Sequence, residues 1–530
     1  MKRINKQTRF LILVILLGGF LRFYQLSYFP VHLGHDEVSQ LYDAISIART
    51  GRDIYGHQLP FIFQSVNDFK PPFYTYVTVI SYFIFGWREI TVRIPGALFG
   101  TLLIPVVYFF VKKFLKQEGI ALTALLLTAI SPFEIFYSRK GFENQTGILF
   151  MLLGFTLMRS RKKWQVYSGV VLLGVSSYIY FSQAVLVPIL LAVFYLIFWK
   201  NTRKFFVKSL ILFLIMIAPL AYIVYTNPDA RNRSKAVFIS QDARLGEKLA
   251  QKENDFGKLI IFLNYSGQRY LNQFNPKYLF FEGLNMTEGK HDVGPLFAVS
   301  APFLLLGIYL LFRNKKHLKE KIFIASWVLI GFIPSGLTFE DFSPHRAIMA
   351  FTMLNVIIAV GVFWFYQKYA KFGFIVLLLL FGLNFIFFIK RYTVNYSIER
   401  SEAIHYPYEE VARFAWENHD KYQQIIFDPK FGEFTPWIGQ AAHYYLAFYG
   451  QYPPEKIQKE FRAGDLLKRE TKFDKFSIRA VDWGGDRELK NTLLIASPWS
   501  LSKTAFEEGK IIKIFYFKTT TPAFYAFDLP

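Results

Sequence analysis

Pro71-Pro72-Phe73-Tyr74-Thr75-Tyr76-Val77-Thr78-Val79-Ile80-Ser81-Tyr82-Phe83-Ile84-Phe85-Gly86 carries no charge, and whether it crosses a bilayer decides the topology of everything after it. The chain has 530 residues, 53% of them hydrophobic, with 60 Phe. Soluble domains average roughly 45–50% apolar. The surplus lies in runs close to the roughly 20 apolar residues that a membrane helix needs. Short basic loops separate those runs, at residues 112–116, 159–163, 200–208, 313–321 and 368–371. Such loops favour the cytoplasmic side. If residues 71–86 crossed fully, every one of those loops would fall outside. The sequence therefore predicts a short re-entrant or interfacial helix there, inside one external loop over residues 25–91.

Working outward, the first span is about residues 10–24, behind a basic start with Lys2, Arg3, Lys6 and Arg9. No small-residue cleavage site follows, so it reads as a retained helix. Ten further spans fall at about 93–111, 120–132, 146–158, 164–180, 184–199, 205–225, 293–312, 322–333, 347–366 and 372–389. The expected fold is a polytopic α-helical membrane protein with about eleven spans and a small C-terminal extracytoplasmic α/β domain. The transmembrane domain covers 1–389, with external loops 25–91 and 227–292, and the α/β domain covers 390–530. Amphipathic and alternating patterns in that tail predict helices at 402–419 and 437–448 and strands at 424–428, 492–496, 511–517 and 524–528. The N-terminus is expected in the cytoplasm of a cell membrane and the tail outside.

A net charge of +22 can mean nucleic acid, but here the basic residues lie in the short loops, which is a topology signal. The chain has no cysteine, which excludes disulfides and thiolate metal sites. It has no phosphate-binding glycine loop, no dinucleotide fingerprint and no HExxH zinc motif.

The candidate chemistry sits on the external side. Asp36-Glu37 follows the first span. Such a pair caps a helix N-terminus, or supplies a general base for an attacking hydroxyl or amine. Lys70, ahead of Pro71-Pro72, either snorkels or places a point charge on a phosphate. Arg139 and Glu143 follow the third span on the outside, against the positive-inside pattern. They read as an ion-paired turn, or as a phosphate cation with a second acid. Asp36 and Glu143 together offer oxygen ligands to a divalent metal. His345-Arg346 sits at the mouth of a span, where an arginine wants an anion. It reads as snorkelling or as a phosphate clamp. His291, at the end of the long loop, is a weaker addition. The sequence demands no cofactor, and the one it admits is that metal ion.

The acidic pair after the first span resembles the first-loop motif of the C-type glycosyltransferases. Lys70-Pro71-Pro72 is similar to the bacterial branch related to glycosyltransferase family 39, which includes protein O-mannosyltransferases and lipid A aminoarabinose transferases. Arg93-Ile94-Pro95-Gly96-Ala97-Leu98, Ile130-Ser131-Pro132 leading to Ser138-Arg139, Pro344-His345-Arg346 and Pro522-Ala523-Phe524-Tyr525 extend the resemblance. It is good over residues 1–200, patchy to 390 and loose beyond. It implies a polyprenyl-phosphate-sugar donor and an inverting transfer outside the cytoplasm to an acceptor that is protein, lipid or glycan. In those terms Asp36 is the base or acceptor-binding acid, assisted by Glu37. Lys70 and Arg346 hold the lipid phosphate, and Arg139 and Glu143 occupy the second-loop position. Many members carry Asp where this chain has Glu143.

Two other classes compete. A transporter or flippase for lipid-linked sugars predicts charged residues along a path through the membrane and internal repeats. A polysaccharide polymerase needs no acidic pair in the first loop.

Overall fold

The computed structural model describes residues 5–65, 69–227, 237–252, 254–284, 292–432, 437–439, 441–461 and 470–530. The chain forms two compact units. A helical unit comprises Met1–Tyr24, Asp68–Phe73 and Gly96–Arg391. A sheet-containing unit comprises Gln25–Asn67, Tyr74–Pro95 and Tyr392–Pro530. Most of the first predicted external loop thus belongs to the same body as the C-terminal residues.

Three helices among the described residues are long and apolar enough to cross a membrane: Ile90–Leu115, Phe181–Thr226 and Ile348–Glu399. A fourth span results if Glu118–Ile130 and Pro132–Ser138, bent by 52°, count as one. Each of the pairs 184–199 with 205–225 and 347–366 with 372–389 is two helices that meet at a kink, at Phe198 and at Ala370. Phe198 falls just before the basic cluster 200–208 and Ala370 within the cluster 368–371, where charge interrupts the apolar run. Asn144–Met158 and Lys163–Ser177 have 15 residues each, about 22 Å at 1.5 Å per residue. They pack tightly against one another. A Cβ on Gly154 would lie 2.9 Å from the carbonyl oxygen of Gly169, and one on Gly169 2.6 Å from that of Gly154. Small residues allow such close helix approach where lipid supplies no hydrophobic drive.

The deciding stretch forms a 13-residue helix, Phe73–Phe85. That is about 20 Å, short of the roughly 30 Å hydrocarbon core. Its sidedness is inverted relative to a water-soluble helix. Tyr74, Thr75, Thr78 and Ser81 are buried, while Ile80, Phe83 and Ile84 are 61–71% exposed. The buried hydroxyls are satisfied within the unit: Tyr74 donates to the Val92 carbonyl at 2.8 Å and Ser81 to that of Thr91 at 2.7 Å. An apolar outer face with a polar inner face suits a lipid environment.

The C-terminal residues build a six-stranded mixed sheet. Its strands are β1 (Gln424–Phe427), β2 (Thr471–Phe473), β3 (Phe476–Ile478), β4 (Thr492–Ala496), β5 (Ile511–Tyr516) and β6 (Pro522–Leu529), in the order β2-β3-β1-β4-β6-β5. β1 runs parallel to β3 and β4, and the outer pairs are antiparallel. β2 and β3 are the strands that the sequence pattern did not yield, since each has three residues and no run to alternate over. The helix His35–Thr50 is part of this body. It ends at Gly51, whose φ of +69° is the left-handed cap that glycine takes without strain. Its Leu41, Tyr42 and Ile45 are fully buried in the same core as Tyr444, Tyr445 and Leu446. Tyr42 donates to the Tyr452 carbonyl at 2.7 Å, and Tyr445 to that of Leu33 at 2.6 Å.

His443 lies in this core, 6% exposed, between the rings of Tyr444 and Phe461. Burial pushes its pKa down to about 3. The folded state therefore keeps it neutral, while the unfolded chain binds a proton below about 6.5. Its contribution is fully present above that value and is lost as pH falls from about 6.5 toward 3, at up to about 1.4 kcal/mol per pH unit. We expect His443→Phe to shrink the drop in melting temperature between pH 7.5 and pH 5, measured on the purified protein. An unchanged drop would remove His443 from the acid response.

Candidate active site

In the sheet-containing unit the site is built around the start of the helix His35–Thr50. Glu37 faces inward. It accepts from the Gly34 amide at 2.9 Å, the reciprocal half of a capping box, and from Arg93 Nε at 3.0 Å. Arg93 is fully buried. It also donates from Nη1 to the carbonyls of Leu26 and Pro30, at 3.1 and 2.8 Å, and from Nη2 to that of His32 at 2.7 Å. One guanidinium thus ties down the chain leading into the helix.

Asp36 turns the other way. Its side chain is 22% exposed, with His35 Nε2 3.6 Å from the carboxylate. A carboxylate in the first turn is favoured by the partial positive charge of the helix N-terminus. Around it lie histidines and tyrosines of the same unit. The His35 ring centroid is 5.4 Å from that of His405. Burial, then the proximity of His35 and His32, holds the His405 pKa well below its ordinary value. Glu89 accepts from the Tyr449 hydroxyl at 2.9 Å, and burial followed by the Glu409 charge raises its pKa.

In the helical unit Lys70 is buried, 2% exposed. Arg139 donates from Nη1 to the carbonyls of Leu21 and Arg22 and from Nη2 to that of Tyr24, at 2.8–3.2 Å. A cation closing the C-terminus of a helix, here Lys6–Phe23, answers its unpaired carbonyls. Glu143 is 4% exposed at the start of the helix Asn144–Met158. The next residue, Asn144, donates to the His345 carbonyl at 3.1 Å. The second-loop residues and the Ser343–Arg346 stretch are therefore brought together. The Ser343 hydroxyl lies 3.3 Å from His345 Nδ1. Arg346 donates to Glu340 at 2.7 Å and to Ser343 Oγ at 3.1 Å. Arg346 also lines an apolar groove of about 450 Å³, between the helix Phe181–Thr226 and the turn Ile333–Thr338.

Asp36 and Glu143 belong to different units. No group of three or more His, Asp or Glu side chains among the described residues is placed to hold a metal ion. His291 lies outside the described residues.

Sequence reading did not single out Arg93 as a site residue, nor Arg22 and Glu134 at all. Glu134 is fully buried and accepts from Thr352 Oγ1 at 2.7 Å and from the Gln145 amide. Arg22 is fully buried and donates to the carbonyls of Gly18, Thr128 and Ala129. The available signal was an ionisable residue within or beside an apolar run, which is costly without a partner.

This arrangement has the fold of the C-type membrane glycosyltransferases, and the chain resembles the family 39 and aminoarabinose-transferase branch of them. Residues 69–224 match the family model described as dolichyl-phosphate-mannose-protein mannosyltransferase. A Bacillus subtilis (strain 168) protein named YycA, whose name marks it as a proposed mannosyltransferase, is 27% identical over 219 residues. That match covers 40% of this chain, and the chain spans 30% of that relative's length. ArnT from Cupriavidus metallidurans, solved bound to undecaprenyl phosphate, superposes with a TM-score of 0.57 over 98% of both chains at 13% identity. The archaeal oligosaccharyltransferase AglB from Archaeoglobus fulgidus, solved with an inhibitory peptide and a dolichol-phosphate, gives 0.54 at 12% identity. That superposition covers 84% of this chain and 63% of AglB. With its long apolar helices, the chain is a membrane protein.

The two adjacent acids should separate on mutation. Glu37→Ala leaves a buried arginine unpaired, a change that typically costs about 3–5 kcal/mol, so the purified variant should melt well below wild type. Asp36→Asn should melt within a degree or two of wild type. Equal melting of both variants would show that the Arg93–Glu37 pair carries no such weight.

Proposed function

We propose that this protein transfers a sugar, with inversion, from a polyprenyl-phosphate donor to an acceptor outside the cytoplasm. The observation that carries the reading is the apolar groove of about 450 Å³ with a guanidinium on its wall. An isoprenoid chain fits the apolar lining, and Arg346 offers planar donors to its phosphate. The family match over 69–224 and the fold shared with a protein solved bound to undecaprenyl phosphate support the same donor class.

In the proposed step the acceptor oxygen or nitrogen attacks the anomeric carbon in line with the departing phosphate. The new bond forms as the bond between the anomeric carbon and the phosphate oxygen breaks. The acceptor proton goes to Asp36, and the lipid phosphate leaves as an anion. Cations stabilise that developing charge, so no acid need protonate it. We assign this to Arg346 and Lys70, with His345 next to Arg346 in the chain. Arg139 and Glu143 shape the second loop, and Glu37 positions Asp36 through Arg93. A divalent ion, if one takes part, would draw on Asp36 or Glu143 as an oxygen ligand.

Asp36→Asn should lower transfer from a polyprenyl-phosphate sugar by roughly 10²–10⁴-fold, the usual worth of a general base, while the protein still inserts. Arg346→Ala should weaken donor binding by roughly 10–100-fold, the equivalent of one charged hydrogen bond. Wild-type turnover in Asp36→Asn would overturn the reading. Orientation is checked separately. The chain has no cysteine, so a single cysteine at Tyr82 should react with an impermeant thiol reagent only from outside. Labelling from the cytoplasm would contradict the proposed topology.

A further inference from the structure

A second cavity, of about 550 Å³, opens at the ends of four helices in the helical unit. It gathers Leu115 from the end of Ile90–Leu115, Ile120 from Glu118–Ile130, Arg313 from the end of Ala301–Arg313 and Lys321 from Leu318–Gly331. Trp364 lines its far wall. Trp364 lies 18 residues beyond Arg346, mostly along the helix Ile348–Lys390, so the two are separated by about 27 Å of helix rise. That is close to the roughly 30 Å thickness of a hydrocarbon core. The cavity is therefore at the opposite end of the helical unit from the groove assigned to the donor.

Its lining is divided. Leu310, Leu311, Val360 and Phe363 make an apolar wall, and Arg313, Lys315, Lys316, His317 and Lys321 bring positive charge to the mouth. No Asp or Glu appears among the described lining residues. The acids that flank the lining are paired elsewhere, Glu320 with Arg159 at 2.5 Å and Glu118 with Lys112 at 2.8 Å. The turn is built rather than loose. Asn314 Oδ1 accepts from the Lys316 amide at 2.8 Å, and its carbonyl accepts from Lys321 Nζ at 2.6 Å. His317 adopts a left-handed φ of +56° at the reversal. Lys321 is only 9% exposed. Burial, then Lys116, draws the His317 pKa below its ordinary value against the opposing charge of Glu320, with Lys316 and Lys321 adding to the lowering. Positive charge crowded at the ends of apolar helices beside an apolar wall matches an anionic headgroup with the first carbons of its acyl chains.

We propose that this cavity binds a phosphate-bearing anion, supplied by an anionic phospholipid of the leaflet at the basic end of the helices. The proposal does not depend on the transfer reaction, because the two sites lie at opposite ends of the helical unit.

The test uses the full-length protein purified in neutral detergent. Thermal unfolding and native mass spectrometry are read with added phosphatidylglycerol, phosphatidylcholine or inorganic phosphate. Wild type should be stabilised by several degrees by phosphatidylglycerol over phosphatidylcholine and should retain one such lipid. Arg313→Gln/Lys315→Gln/Lys316→Gln, all on exposed positions of the turn, should weaken that binding at least tenfold. Lys200→Gln/Arg203→Gln/Lys204→Gln, on a different basic loop, should not. Equal stabilisation by inorganic phosphate would support the anion site with a soluble occupant in place of the lipid. Equal response to the two lipids without any response to phosphate, or equal loss in both triple variants, would overturn the proposal.

Discussion

The ion pair between Arg93 and Glu37 is the interaction on which the sheet-containing unit depends. Both side chains are buried, and the guanidinium also collects the carbonyls of Leu26, Pro30 and His32. Buried pairs are poor sources of net stability but costly to break. Their value here is positional. By holding Glu37 inward, the pair leaves the adjacent carboxylate of Asp36 partly exposed in the first helical turn. A helix N-terminus and a neighbouring histidine then surround that carboxylate with groups that accommodate its charge.

The helical unit solves a different problem. Its buried polar groups must find partners without water. Arg22, Arg139, Glu134 and Gln183 spend their hydrogen bonds on carbonyls, hydroxyls and amides of neighbouring helices. Buried charge of this kind is what a transporter for lipid-linked sugars would also display. In this chain Arg22 bonds to helix carbonyls and Glu134 to Thr352 and Gln145, which is the behaviour of structural anchors. Arg346 differs, because it also lines an apolar groove of about 450 Å³.

Much of this was legible in the residues. The apolar surplus and the basic loops gave a polytopic helical protein, and charge alternation singled out the helix Phe73–Phe85 as the segment to treat separately. Four of the six sheet strands follow from alternation in the tail. The geometry of the junctions between neighbouring helices was not legible to the same degree, because a kinked helix and two helices joined by a basic turn have the same hydropathy trace. Phe198 and Ala370 mark where the difference lies. At the site, Asp36-Glu37 stood out as a pair, but nothing in the string separates the acid that is held from the acid that is offered. That distinction needs Arg93, which lies 56 positions downstream of Glu37. Isolated ionisable residues within apolar sequence, such as Arg22, were the signal available for such partners.

The most direct measurement is an experimental density map of the protein with a polyprenyl phosphate bound. The expected result is isoprenoid density along the groove lined by Leu186, Leu220 and Ile333, with the phosphate within hydrogen-bond distance of the Arg346 guanidinium. A lipid phosphate bound elsewhere, with the groove filled by unrelated lipid or closed, would contradict the assignment of this groove and of Arg346 to the lipid-phosphate donor.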